Sequence, residues 1–96
     1  MIILRLTANE VTAIKKVIHS LDSEAKIYLF GSRVDDNKRG GDIDLLIFSN
    51  KLNQEDISKI KYNLWDEIGE QKIDILIAKD TSHPFTRIVL KESILL

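Results

Sequence analysis

Apolar residues recur at helical spacing in two long stretches of this chain and run almost unbroken in three shorter ones. Val11, Ile14, Val17, Ile18 and Leu21 fall three or four apart, which marks one face of a helix over residues 8–21. Thr7 and Glu10 stand where a capping box would start it. Ile57, Ile60, Leu64 and Ile68 repeat the pattern and predict a second helix over about 54–68, with Asn53 as its N-cap and Gly69 just past its end. Lys26 to Phe30, Ile43 to Phe48 and Lys72 to Ala78 are short runs rich in β-branched and aromatic residues, the signature of strands. Thr81-Ser82-His83 reads as a cap, with Pro84 in the first turn of a short last helix through Phe85, Ile88 and Val89. The predicted order is α-β-loop-β-α-β-α.

The runs carry little polarity, so the few acids in them stand out. Asp42 and Asp44 open the second run at i and i+2, and on a strand such residues project from one face. Asp74 is the lone acid within the third run. A carboxylate on a central strand is costly unless paired or metal-bound, although Lys72, on the same strand face, offers Asp74 a partner. Two adjacent carboxylates repel unless a cation sits between them, and a hard divalent ion such as Mg²⁺ takes oxygen ligands while leaving room for substrate phosphates. Gly31-Ser32 ends the first run. A glycine there lets a phosphate approach the backbone, and the serine adds a hydroxyl and an amide donor.

These residues meet only in one topology. Gly31 and Ser32 reach Asp42 and Asp44 if strands one and two are antiparallel. The helix between strands two and three makes a right-handed parallel crossover, which brings Asp74 to the same end. The expectation is therefore a three-stranded mixed α/β sheet, order 1-2-3, flanked by helices and bringing three carboxylates to one rim.

Composition narrows the setting. Ninety-six residues, 44% apolar and 30% charged, suit one globular domain spanning 1–96. A net charge of −1 provides no global field to draw duplex nucleic acid, though a local basic patch remains open. The absence of cysteine excludes disulfides and thiolate metal sites. No run approaches a membrane span, and Met1-Ile2-Ile3-Leu4-Arg5 is too short for a signal peptide; a cytoplasmic protein is the default expectation. In the charged loop 31–41, Asp35, Asn37 and Gly40 mimic three positions of a calcium loop, but Arg39 and Leu46 fall where ligands are required.

At Gly31-Ser32, Asp42-Ile43-Asp44 and Asp74 the chain resembles the DNA polymerase β-like nucleotidyltransferase superfamily. It looks most like the small stand-alone members, the minimal nucleotidyltransferase (MNT) domain proteins, over nearly its whole length. The resemblance implies transfer of a nucleoside monophosphate, AMP from ATP or the equivalent from another NTP, to an acceptor hydroxyl. It implies that Gly31 and Ser32, with Arg33 beside them, hold the triphosphate. It assigns two Mg²⁺ ions to Asp42 and Asp44, and to Asp74 the ion nearer the acceptor and a part in deprotonating it. Members of this class are often paired with an all-helical HEPN protein as antitoxin to its toxin, and can adenylylate a tyrosine of that partner. Gly41 stands where the family commonly has serine, and no acceptor-binding domain follows the third strand, so a large acceptor must be bound by homo-oligomerisation or by the partner itself.

Two other functions fit the same residues. A non-catalytic antitoxin could neutralise a partner by occlusion, with Ile94-Leu95-Leu96 as an apolar contact or, equally, as part of the core. A Mg²⁺-dependent phosphohydrolase or nuclease would use the same acids with water as acceptor.

Overall fold

Helix α1 (Ala8–Leu21) starts as its first residues require. The Thr7 hydroxyl accepts from the Glu10 amide, and the Glu10 carboxylate accepts from the Thr7 amide, so two otherwise unpaired donors of the first turn are satisfied. The computed structural model describes residues 6–31 and 43–96. The elements that follow α1 are β1 (Lys26–Phe30), β2 (Ile43–Phe48), a 3₁₀ turn (Gln54–Asp56), α2 (Ile57–Ile68), β3 (Ile73–Ala78), α3 (Pro84–Lys91) and β4 (Ile94–Leu95). Asn53 caps the 3₁₀ turn and exchanges bonds with Asp56, while Gly69 closes α2 at φ +88°.

The described strands form one mixed sheet in the order β3-β2-β1-β4. β1 and β2 are antiparallel and β2 and β3 parallel, as the crossover argument requires. The sheet has a fourth strand where three are expected. Leu95 pairs with Tyr28 and Ile94 with Leu29, and the Leu96 amide donates to the Ile27 carbonyl. A strand of two residues is too short to show a period, so the apolar tail carries no strand signal in the sequence. In the fold, Leu96 packs against the core and Leu95 stays exposed.

The two faces of the sheet differ in chemistry. Ile27, Leu29, Ile43, Leu45, Ile47 and Ile73 all point to one face. There they bury against Ile14, Val17 and Ile18 of α1 and Ile60 and Leu64 of α2. Full burial of each such side chain contributes about 1.5–3 kcal/mol, so this layer dominates the stability. The other face carries Phe30, Asp44 and Asp74 at one end, Tyr28, Leu46 and Leu76 in the middle, and Lys26, Phe48 and Ala78 at the other end. Tyr28 and Phe48 meet edge-on, ring centres 5.7 Å apart. α3 touches β1 on this side, where Leu46, Thr86 and Val89 are buried apart from the main cluster. The cap of α3 is His83, whose Nδ1 accepts from the Phe85 amide, rather than the preceding Thr81 or Ser82.

The end of the sheet formed by the close of β2 is held by a polar knot. Buried Ser49 donates to the Asp22 carboxylate at 2.5 Å and accepts from the amides of Lys51 and Leu52. Asp22 also accepts from the Glu24 amide. The Ser49 hydrogen bond holds the Asp22 carboxyl below its ordinary value of 3.8, against the opposing effect of burial. A carboxyl whose folded pKa is depressed stabilises the fold above its unfolded pKa and loses that contribution as the pH falls through the folded value. Ser49→Ala should therefore cost about 2 kcal/mol in urea unfolding at pH 7. The difference from wild type should shrink once the pH falls below about 4.

Candidate active site

The central strand sets the geometry. Asp44 on β2 lies in register with Phe30 of antiparallel β1 and with Asp74 of parallel β3. Residues in register share a face, so the two carboxylates are neighbours across adjacent strands. They lie at the strand starts, where the Ile43 amide donates to the Lys72 carbonyl and ties β2 to the approach of β3. Asp44 is half-buried and Asp74 exposed.

Gly31 completes the corner. It leaves β1 at φ +77°, a conformation that glycine adopts without strain. A Cβ built on Gly31 would fall 2.9 Å from Asp44 Cγ and closer still to its carboxylate oxygen. The absence of a side chain therefore does two things: it permits the turn, and it makes room for Asp44. From sequence alone Gly31 explains only the approach of a phosphate; its packing against Asp44 is a property of the fold.

Asp42, Ser32 and Arg33, named from the sequence, lie outside the described residues, as does the charged loop with Asp35, Asn37 and Gly40. Among the described residues no group of three His, Cys, Asp or Glu side chains stands ready to hold a metal ion. The pair that is described fits such an ion in kind. Asp44 and Asp74 offer carboxylate oxygens on one face, with glycine rather than a bulky residue beside them, and oxygen-only donors suit a hard divalent cation. Neighbouring carboxylates that gain a cation lose their mutual repulsion.

Both histidines and Trp65 have structural work. His19 is hydrogen-bonded to the Ala25 carbonyl and His83 caps α3. Trp65 packs against the core and its indole N–H donates to the Gln71 carbonyl at 2.7 Å, tying α2 to the lead-in of β3. Tyr62 is exposed and touches Trp65 edge-on. Phe30 is a further neighbour of this corner: with β1 antiparallel to β2, the residue before Gly31 falls opposite Asp44, a pairing already implied by the order of the two strands.

A cleft of about 820 Å³ opens at the far end of the sheet. Lys26, Lys51 and Lys79 line it together with Asp22, Glu24 and Asp80. These formal charges balance, and none of these residues belongs to the Asp44–Asp74 corner. No helix among the described residues is long and apolar enough to cross a membrane.

Residues 12–96 match the family described as Polymerase beta, Nucleotidyltransferase. No curated protein matches the chain significantly.

Alanine at each positive-φ glycine separates backbone strain from collision. Gly31→Ala and Gly69→Ala should each cost about 1–3 kcal/mol in urea unfolding. Only Gly31→Ala should also displace the Asp44 carboxyl, seen as a changed ¹³C chemical shift for that group, since nothing lies within 4 Å of the Cβ position at Gly69.

Proposed function

Because the chain belongs to the polymerase beta nucleotidyltransferase family, we propose that it is a Mg²⁺-dependent nucleotidyltransferase that moves AMP from ATP to an acceptor hydroxyl. The observation that carries this reading is the register of Asp44 with Asp74, on one face and beside Gly31.

In the proposed reaction an acceptor oxygen attacks the α-phosphorus of the nucleotide. A new P–O bond forms, the bond to the β-phosphate breaks, and pyrophosphate leaves. Asp42, Asp44 and Asp74 would hold two Mg²⁺ ions, which when bound neutralise charge on the attacking and departing oxygens. The chain's own residues supply position. The Asp44 backbone is held by strand pairing on both sides and Gly31 leaves room for its carboxylate, so the fold presents the acid before substrate arrives. Asp74 is exposed on the neighbouring strand, accessible to an incoming acceptor, and takes its proton. The bare backbone at Gly31 leaves space for phosphate oxygens, and Ser32 and Arg33 follow it directly in the sequence. No side-chain nucleophile is needed, in keeping with a chain that has no cysteine.

The acceptor proposed is a tyrosine of an all-helical HEPN protein, with this chain as the antitoxin. A second reading, neutralisation by occlusion, is favoured by Phe85 and Ile88, which α3 leaves exposed. The apolar tail supports it less, since Leu96 packs against the core. Release of free AMP from ATP without any acceptor would instead favour the hydrolase reading.

Incubation with Mg²⁺, ATP labelled at the α-phosphate and the HEPN protein should transfer label to that protein. Asp44→Asn and Asp74→Asn should each lower the rate more than about 100-fold, beyond the 10–100-fold typical of losing an outer-sphere metal partner. Asp66→Asn, on the exposed side of α2, should leave it unchanged. Transfer that survives both site substitutions would sink the metal role. Neutralisation that survives them at unchanged affinity would establish occlusion.

A further inference from the structure

β3 is an outer strand of the described sheet. Lys72 and Lys79 flank it and Asp74 is its one charge, but Ile73–Ala78 itself contains no proline, no lysine and no break in register. Native edges are blunted by proline, lysine, a bulge or extreme brevity. β4, the opposite outer strand, is only two residues long. β3 runs Ile-Asp-Ile-Leu-Ile-Ala for six residues and stays in unbroken register with β2. Ile75, Leu76 and Ile77 are all half-exposed.

Hydrogen bonding fixes which backbone groups face outward. The carbonyls of Lys72 and Ala78 accept from β2 residues Ile43 and Ser49. Backbone groups alternate sides along a strand, so those of Asp74 and Leu76 also face β2. Those of Ile73, Ile75 and Ile77 face outward and present an open ladder.

We propose that this edge pairs with β3 of a second copy, antiparallel about a two-fold axis at Leu76, joining the two four-stranded described sheets into one. The strand is self-complementary in that register. Ile75 of each copy exchanges backbone hydrogen bonds with Ile77 of the other, and the two Leu76 side chains meet on the two-fold. Asp74 faces Ala78, the smallest side chain of the strand. Lys72 and Asp80 lie just outside the two ends of β3, so this register brings opposite charges near each other at each end of the pairing, although Asp80 also accepts from the Ser82 amide. A two-fold centred on Ile75 would instead set the Asp74 carboxylate against Leu76 and Lys72 against Ala78, with no charge matched. Symmetry of this kind closes the assembly at two chains, because it consumes the long outer edge of the described sheet, whose other outer strand is two residues long. It also brings the Ala78–Asp80 end of one copy alongside the Asp74 end of the other, so each candidate site is flanked by the second chain. This inference does not depend on the proposed catalysis.

Leu76 provides a direct probe because the chain has no cysteine. In a non-hydrogen-bonded antiparallel pair the Cα atoms lie about 4.5 Å apart, within the span of a disulfide. Mild oxidation of Leu76→Cys should convert most of the protein to a covalent dimer, twice the 11.0 kDa of the chain. Phe85→Cys, exposed on α3, should form no covalent dimer under the same oxidation and should run as a single chain on a denaturing gel. Light scattering of the unmodified protein at about 100 µM, a concentration that populates even a micromolar association, should report the doubled mass. Leu76→Lys and Leu76→Glu should each be monomeric with unchanged circular dichroism, and mixing them should restore the dimer. A wild-type monomer at that concentration would overturn the proposal. So would Phe85→Cys cross-linking as readily as Leu76→Cys.

Discussion

The register of β2 is the constraint from which the rest follows. Ile43, Leu45 and Ile47 have no exposed surface and alternate with Asp44, Leu46 and Phe48. A slip of one residue would turn three apolar side chains away from α1 and α2 and drive Asp44 into the core. At about 1.5–3 kcal/mol for each buried aliphatic side chain, with the cost of burying a carboxylate added, the correct register wins by several kcal/mol. Hydrophobic burial on one face thus positions an acid on the other. The candidate corner at Asp44 is a by-product of core packing.

The two neighbours of β2 complete that placement by different means. β1 is antiparallel, so its end comes alongside the start of β2 and delivers Gly31 to Asp44. β3 is parallel, so start meets start and Asp74 arrives beside Asp44. A mixed sheet is required, since neither an all-parallel nor an all-antiparallel arrangement of these strands would bring the same three residues together. The far end of the sheet has the opposite character. There Asp22 and Ser49 bond each other and the nearby amides, and the polar groups serve the fold.

The division of labour between the two faces has a consequence for assembly. The face under α1 and α2 is wholly apolar in its buried cluster, whereas the other mixes acids, aromatics and a single short helix. A chain of 96 residues buries a smaller fraction of its surface than a larger one would. Half-exposed isoleucines on β3 and exposed Phe85 and Ile88 on α3 are what that shortage leaves at the surface. They lie away from the Asp44–Asp74 corner or along its flank.

Local pattern was enough to read α1, α2 and the three long strands, because period and capping are properties of neighbouring residues: Thr7 with Glu10, Asn53 with Asp56, Gly69 after Ile68. It was also enough to single out Asp44 and Asp74, since an isolated acid in an apolar run is conspicuous, and the helix between two strands implied that they sit at one end. Tertiary structure decided what depends on distant pairs. Ile94–Leu95 became a strand only because β1 had an unpaired edge to receive it. Asp22 met Ser49 across 27 positions of sequence. Gly31 proved to be space for a carboxylate as well as a turn. No local window encodes these contacts, because each is set by which backbone the burial of Ile43, Leu45 and Ile47 brings near.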